Sequence, residues 1–140
     1  MRTASSAIVV VILALALAAC GESKEDKALS SVCDARADIG KQVDTLKGLT
    51  PSTVTTDAVK KSLDAIKKDL QDIADARSDL SSDRRSEVDA ANKTFKSSIQ
   101  QIAGEIGTSV SASDAKAGVV TALEQLGASY KKTFAPLSCD

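Results

Sequence analysis

The sequence has 140 residues, of which 26% are charged, and its formal net charge at pH 7 is −1. Such a near-neutral mixture does not indicate nucleic-acid binding, which requires a basic patch or stripe. Tryptophan is absent, and one tyrosine and two phenylalanines leave few platforms on which bases or sugars can stack. We therefore expect no nucleic-acid partner.

The chain begins like a secretory signal peptide. Arg2 supplies a positive start, and an unbroken apolar run occupies residues 7–19. This order, with small residues at the end of the run, is typical of an export signal that is cleaved. The run is shorter than the about 20 apolar residues that cross a bilayer. We predict a signal peptide over residues 1–19; an uncleaved anchor is the alternative.

The signal ends in the sequence LAAC at residues 17–20, which resembles the lipobox of bacterial lipoproteins. The resemblance covers only about the first 20 residues, and the mature part shows no family motif. It implies cleavage before Cys20 and a diacylglycerol, with acyl chains such as palmitate, on the Cys20 sulfur. The alternative is ordinary cleavage at Ala16-Leu17-Ala18, with Cys20 a chance neighbour.

Lipid on Cys20 also implies where in the cell the protein is located. The protein would be held on the extracytoplasmic face of the cell membrane. In a cell with two membranes, Gly21 after the cysteine is the pattern of lipoproteins released to the outer membrane, so the outer membrane is the expected location there.

The mature chain divides into a polar tether over residues 20–27 and a single domain over residues 28–140, which is long enough to bury its own core. Apolar residues of this domain recur at helical spacing, and no segment alternates as a half-buried strand does. We predict an all-α fold with four apolar stripes. The stripes are Leu29, Val32, Cys33, Ile39, Val43 and Leu46; Val59, Leu63, Ile66, Leu70, Ile73 and Leu80; Val88, Ala91, Phe95, Ile99, Ile102 and Ile106; and Val119, Leu123, Leu126, Tyr130 and Phe134.

Local signals predict where the helices begin and end. Gly48 follows the first stripe, in the usual place for a left-handed cap. Thr55 or Thr56 is expected to cap the second helix. The third helix should end near Gly107, and Pro136 should stop the fourth.

The three cysteines are assigned together. With Cys20 acylated, Cys33 and Cys139 remain as one pair in an oxidising compartment, where a disulfide is expected. A bridge closing about 100 residues stabilises a fold by on the order of 4–5 kcal/mol. A redox-active pair is the alternative, but Asp34 beside Cys33 disfavours a reactive thiolate.

The expected disulfide also selects the number of helices. Residues 80–83 contain neither glycine nor proline, so one long helix that carries both the second and the third stripe is the alternative to two separate helices. Three alternating helices would leave Cys33 and Cys139 about 30 Å apart, whereas a disulfide needs about 4–7 Å between Cα atoms. We therefore predict an antiparallel four-helix bundle with up-down-up-down topology.

Residues for catalysis are scarce. Histidine is absent, which removes the commonest general base and most zinc sites, and no glycine-rich phosphate loop occurs. We expect no enzymatic activity, no cofactor and no resident metal. Asp72, Asp75 and Asp79 share a helix face, which suggests either a hard-cation site or, more simply, a solvated surface.

Arg36 and Arg77 are the candidate site residues, because both interrupt apolar stripes near the disulfide end. They suggest either ion pairs with acidic neighbours across the helices or a small anion-binding opening at that end of the bundle. The alternative is that their stems cover apolar surface while the guanidinium groups reach water.

We expect the domain to act as a non-enzymatic interaction or structural module of the cell envelope, with an envelope protein or polymer as its partner. The alternative is a small-ligand or lipid-binding protein with an apolar pocket between its helices. Small side chains would leave room for such a pocket between the helices. They belong to Ala90, Ala91, Ala103, Ala117 and Ala122.

Overall fold

A computed structural model describes residues 21–109 and 113–139. These residues form α1 (Lys24–Lys47), α2 (Thr56–Ala76), α3 (Ser82–Ser109) and α4 (Ser113–Phe134), with a 3₁₀ turn at Arg77–Asp79 between α2 and α3. No strand occurs within them. The predicted all-α class is confirmed.

The helices pack in a ring. α1 lies beside α2 and α4, and α3 lies beside the same two helices, while no Cα atoms of the diagonal pairs come within 8 Å of each other among the described residues. The α1–α2 and α3–α4 pairs make the most extensive contacts. This arrangement is the predicted antiparallel four-helix bundle.

The core is built from the four predicted stripes. Every residue of the second and third stripes is buried, whereas Leu29, Cys33 and Tyr130 are half-buried at the edge of the core. Phe95 lies with its ring centroid 5.4 Å from that of Phe134 and 5.7 Å from that of Tyr130. Edge-to-face pairs of this kind add about 0.5–1.5 kcal/mol each beyond the area they bury.

α2 and α3 are separate helices although no glycine or proline divides them. Leu80 is extended, with φ −83° and ψ 153°, and only 3% exposed. The guanidinium of Arg85 donates hydrogen bonds to the carbonyls of Ser78 and Leu80 at 2.9 and 3.1 Å. The Glu25 carboxylate of α1 accepts a 3.2 Å hydrogen bond from the Ser81 N–H. Burial of Leu80 and these contacts hold the break in place.

The helix ends confirm some predictions and correct others. Thr55 caps α2 by accepting a 3.1 Å hydrogen bond from the Ala58 N–H, as expected. Gly48 ends α1 in a right-handed conformation, φ −75° and ψ −10°, so the predicted left-handed cap is wrong. α3 continues past Gly107 to Ser109.

The N-terminal end of the bundle begins earlier than predicted. The Ser23 hydroxyl accepts a 3.0 Å hydrogen bond from the Asp26 N–H, and the Asp26 carboxylate accepts one from the Ser23 N–H at 3.2 Å. This reciprocal capping box starts α1 at Lys24. The second half of the tether predicted over residues 20–27 is therefore helical. Its remainder is residues 20–23, of which Cys20 lies outside the described residues.

Within the described ranges, no helix combines the length and the apolar character needed to cross a membrane. The apolar run at residues 7–19 lies outside those ranges.

Candidate functional site

The candidate site lies at the disulfide end of the bundle, where α1 begins, α2 meets α3 and the chain ends. Cys33 and Cys139 are bonded, with 5.6 Å between their Cα atoms, which confirms the predicted pair. The bond ties residues 135–139, here called the C-terminal strap, to α1. Leu137 is the one buried residue of the strap, and it is 8% exposed.

Arg36 holds the same strap by a second contact. Its guanidinium donates a 2.6 Å hydrogen bond to the Leu137 carbonyl in a partly buried position. Its own carbonyl accepts a 2.7 Å hydrogen bond from the Tyr130 hydroxyl. Arg36 therefore joins α1 to both α4 and the strap, and its partners lie 94 and 101 residues away along the chain.

Tyr130 depends on a glycine opposite its hydroxyl. A Cβ atom at Gly40 would lie 2.8 Å from the Tyr130 hydroxyl oxygen, closer than side chains tolerate. Burial raises the pKa of Tyr130, and the nearby Arg36 opposes part of that rise. The phenol therefore stays protonated and able to donate to the Arg36 carbonyl.

Arg77 is engaged elsewhere. Its guanidinium lies 2.6 Å from the Asp89 carboxylate of α3, and both side chains are more than two-fifths exposed. Exposed ion pairs contribute about 0–1 kcal/mol. Within the described ranges Arg36 and Arg77 share no hydrogen-bond partner. The structure thus places both arginines toward the disulfide end without joining them in one polar opening.

Of the three aspartates singled out from the sequence, Asp72 and Asp75 lie on α2 and accept hydrogen bonds, whereas Asp79 lies in the 3₁₀ turn that follows α2. Asp72 accepts a 2.6 Å hydrogen bond from Lys68, which raises the pKa of that lysine. Asp75 accepts a 2.9 Å hydrogen bond from Gln71. These are i, i+4 contacts of an ordinary solvated helix face.

Two openings flank the C-terminal strap. A cavity of about 250 Å³ lies between the strap and the apolar side chains Leu29, Val32 and Val88. On the other side, an open and mostly apolar groove of about 620 Å³ runs between α3 and α4. Ala90 and Ala91, two of the small residues singled out from the sequence, line this α3–α4 groove.

Sequence reasoning missed the strap and one buried amide. The Asn92 side chain of α3 donates a 3.1 Å hydrogen bond to the Leu70 carbonyl of α2, and its own oxygen is buried without a partner among the described residues. Of these two features, only the strap could have been found from the sequence. Leu137, between Pro136 and Cys139, is an isolated apolar residue past the last helix.

No protein-family model, no curated protein and no solved structure gives a match to this chain.

Proposed function

We propose that this chain is a membrane-anchored bacterial lipoprotein whose helical bundle acts outside the cytoplasm as a non-enzymatic interaction or structural module of the cell envelope. The observation that carries the proposal is the N-terminal signal, in which the apolar run of residues 7–19 ends directly at Cys20 within the sequence LAAC. An envelope protein or polymer is the proposed partner.

The start of α1 supports an anchored arrangement. Only residues 21–23 separate Cys20 from the first helical residue, Lys24. Three extended residues span at most about 11 Å. Lipid on Cys20 would therefore keep the disulfide end near the membrane. The two chains of a diacylglycerol suit this role, because one acyl chain alone binds a bilayer only marginally.

The anchor is tested by labelling cells of the native host with an alkyne-bearing fatty acid. We expect the wild-type protein to carry the label and to fractionate with membranes, and Cys20→Ser to lose both properties. The matched control is the double variant Cys33→Ser/Cys139→Ser, which keeps Cys20 and should remain labelled. Label on Cys20→Ser, or none on the wild-type protein, would refute the anchor.

The interaction role is tested separately, by mild chemical crosslinking of native membranes. Lysines are spread over the exposed helix faces, for example Lys41, Lys61 and Lys96, so an amine-reactive reagent samples most of the bundle surface. We expect a discrete crosslinked product that contains an envelope component. Recovery of the uncrosslinked monomer alone would count against this role.

A second candidate function rests on the α3–α4 groove. Its apolar lining and its volume of about 620 Å³ fit the binding of a small apolar ligand or lipid. Ala90 is exposed and lines the groove, so Ala90→Leu narrows the groove without changing a buried residue. Native mass spectrometry should then show a co-purifying ligand on the wild-type protein and on the control Ala37→Leu, and none on Ala90→Leu. If no ligand co-purifies with the wild-type protein or with either variant, this candidate function is excluded.

A further inference from the structure

The turn between α1 and α2 concentrates hydroxyl side chains. Residues 50–56 contain no charged residue and only two residues without a hydroxyl, Pro51 and Val54. All the hydroxyl-bearing residues of this stretch are exposed, namely Thr50, Ser52, Thr53, Thr55 and Thr56. Serine- and threonine-rich stretches with proline are typical of O-glycosylated segments. The same residues are also common in turns and caps, where their oxygens bind backbone N–H groups.

The fold itself accounts for two of these hydroxyls. The Thr53 hydroxyl accepts a 2.8 Å hydrogen bond from the Thr50 N–H, and the hydroxyl oxygens of Thr50 and Thr53 lie 3.0 Å apart. The Thr55 hydroxyl accepts from the Ala58 N–H and caps α2. The hydroxyls of Thr53 and Thr55 therefore have a structural purpose, because each binds a backbone N–H group.

Ser52 and Thr56 have no such purpose. The Ser52 hydroxyl contacts only the Thr50 hydroxyl, at 2.9 Å, and binds no backbone group. The Thr56 hydroxyl makes no hydrogen bond within the described part of the chain. Thr56 is also the first residue of α2, and threonine is a poor helix former. The hydroxyls of Ser52 and Thr56 are thus exposed, and neither binds a backbone group of the turn or of the helix.

The turn presents these two residues at a fixed place. Val54 is completely buried and its N–H donates a 2.8 Å hydrogen bond to the Thr50 carbonyl, which closes the turn over the core. α1 has 24 residues, begins at the disulfide end and is about 36 Å long, so the turn that follows it lies at the opposite end of the bundle. The hydroxyl-rich turn is therefore at the end of the bundle remote from the disulfide and from the start of α1.

We propose that Ser52 and Thr56 are acceptor sites for O-glycosylation. The inference rests on the proposed export of the chain, because it needs a glycosyltransferase that meets the protein outside the cytoplasm. In the transfer, the hydroxyl oxygen forms a bond to C1 of a sugar carried on a phosphate. The bond from C1 to the phosphate oxygen breaks, and the phosphate keeps the electron pair. A base of the transferase takes the hydroxyl proton.

The test is peptide mapping of the full-length protein purified from its native host. Trypsin cuts after Lys47 and Lys60, so all five hydroxyls fall in the one peptide of residues 48–60. We expect this peptide to carry sugar mass that fragmentation assigns to Ser52 or Thr56. The peptide of residues 42–47 is the internal control. Its Thr45 is exposed but donates a 2.9 Å hydrogen bond to the Lys41 carbonyl, and it should be unmodified.

Variants separate the two classes of hydroxyl. Ser52→Ala/Thr56→Ala should lose the sugar mass completely, whereas Thr53→Ala should keep it. An unmodified wild-type peptide, or sugar found only on the hydroxyls that the fold uses, overturns the proposal. The N-terminal peptide of the same sample keeps the anchor distinguishable. If Cys20 carries lipid but the peptide of residues 48–60 is unmodified, the glycosylation proposal is refuted and the anchor stands. If the peptide carries sugar but the chain retains residues 1–19, the cleaved anchor is refuted and glycosylation stands.

Discussion

At the scale of single residues, the contact between Gly40 and Tyr130 decides how closely α1 approaches α4. Glycine is required at position 40 because the Tyr130 hydroxyl occupies the space of a side chain there. The same hydroxyl donates to the Arg36 carbonyl, so it has little freedom to move away. Two predictions follow from this geometry.

Gly40→Ala should destabilise the fold by about 1–3 kcal/mol, the usual cost of overpacking. In a Tyr130→Phe background, which removes the clashing oxygen, the cost should be smaller, and the difference measures the coupling. Urea denaturation of the four proteins gives the values. Gly104→Ala is the control, since nothing lies within 4 Å of a Cβ atom there, and it should be neutral or stabilising. Equal costs in both backgrounds would contradict the proposed clash.

Tyr130 should also make stability depend on pH at the alkaline end. Burial raises its folded-state pKa above the ordinary value of 10.0. As pH rises, the unfolded phenol therefore loses its proton first, and the free energy of unfolding falls from about pH 10 upward. The stability difference between the wild-type protein and Tyr130→Phe should shrink between about pH 8 and about pH 11. A difference that stays constant over this range would show that the phenol titrates normally.

At the scale of elements, the break between α2 and α3 is made by contacts from outside both helices. Glu25 of α1 binds the Ser81 N–H, just before the first residue of α3, and its carboxylate lies 3.9 Å from the Arg84 guanidinium. Its role is that of an N-terminal capping group supplied by a neighbouring helix. The acceptor that stabilises the Ser81 N–H comes from 56 residues away along the chain.

Glu25→Ala should therefore lower the free energy of unfolding by about 1 kcal/mol, as the loss of a capping side chain does. Glu25→Gln keeps an acceptor oxygen and should lose less. Amide hydrogen exchange should be faster in the first turn of α3 for Glu25→Ala, while exchange in α4 stays unchanged. Unaltered exchange at the start of α3 would show that Glu25 is not the cap.

At the scale of the whole molecule, the disulfide and the Arg36 hydrogen bond together close the bundle. Both act on the C-terminal strap, and both link residues about 100 positions apart. Because the loop is so long, a disulfide here acts mainly by restricting the unfolded chain. The hydrogen bond acts in the folded state, so the two contributions are separable.

Cys33→Ser/Cys139→Ser should lower the free energy of unfolding by about 2–5 kcal/mol. Arg36→Ala should cost about 1 kcal/mol while the disulfide is intact and less in the double serine variant, in which the strap is already free to detach. Urea denaturation with and without a reductant provides the measurement, and reductant should leave the serine variant unaffected. A larger cost of Arg36→Ala in the serine variant would contradict this coupling.

Most of the architecture was predictable from the order of residues. The spacing of apolar residues predicted the buried face of each helix, because a helix repeats every 3.6 residues and only one face meets the core. The paired Cys33 and Cys139 predicted an even number of helices, because a disulfide tolerates only a short span. The signal peptide and the lipid on Cys20 rest on the first 20 residues alone and stay predictions.

The candidate site was much less predictable. Periodicity shows that a residue faces inward, but not which residue of another helix it meets. The sequence suggested ion pairs across the helices or a shared opening for Arg36 and Arg77; Arg77 does pair with Asp89 of α3, whereas Arg36 binds the Leu137 carbonyl. Gly48 took a right-handed rather than a left-handed conformation. The strap, the Gly40–Tyr130 contact and the Glu25 cap join residues 56 to 101 positions apart, and only the packing of the four helices brings such pairs within hydrogen-bonding distance.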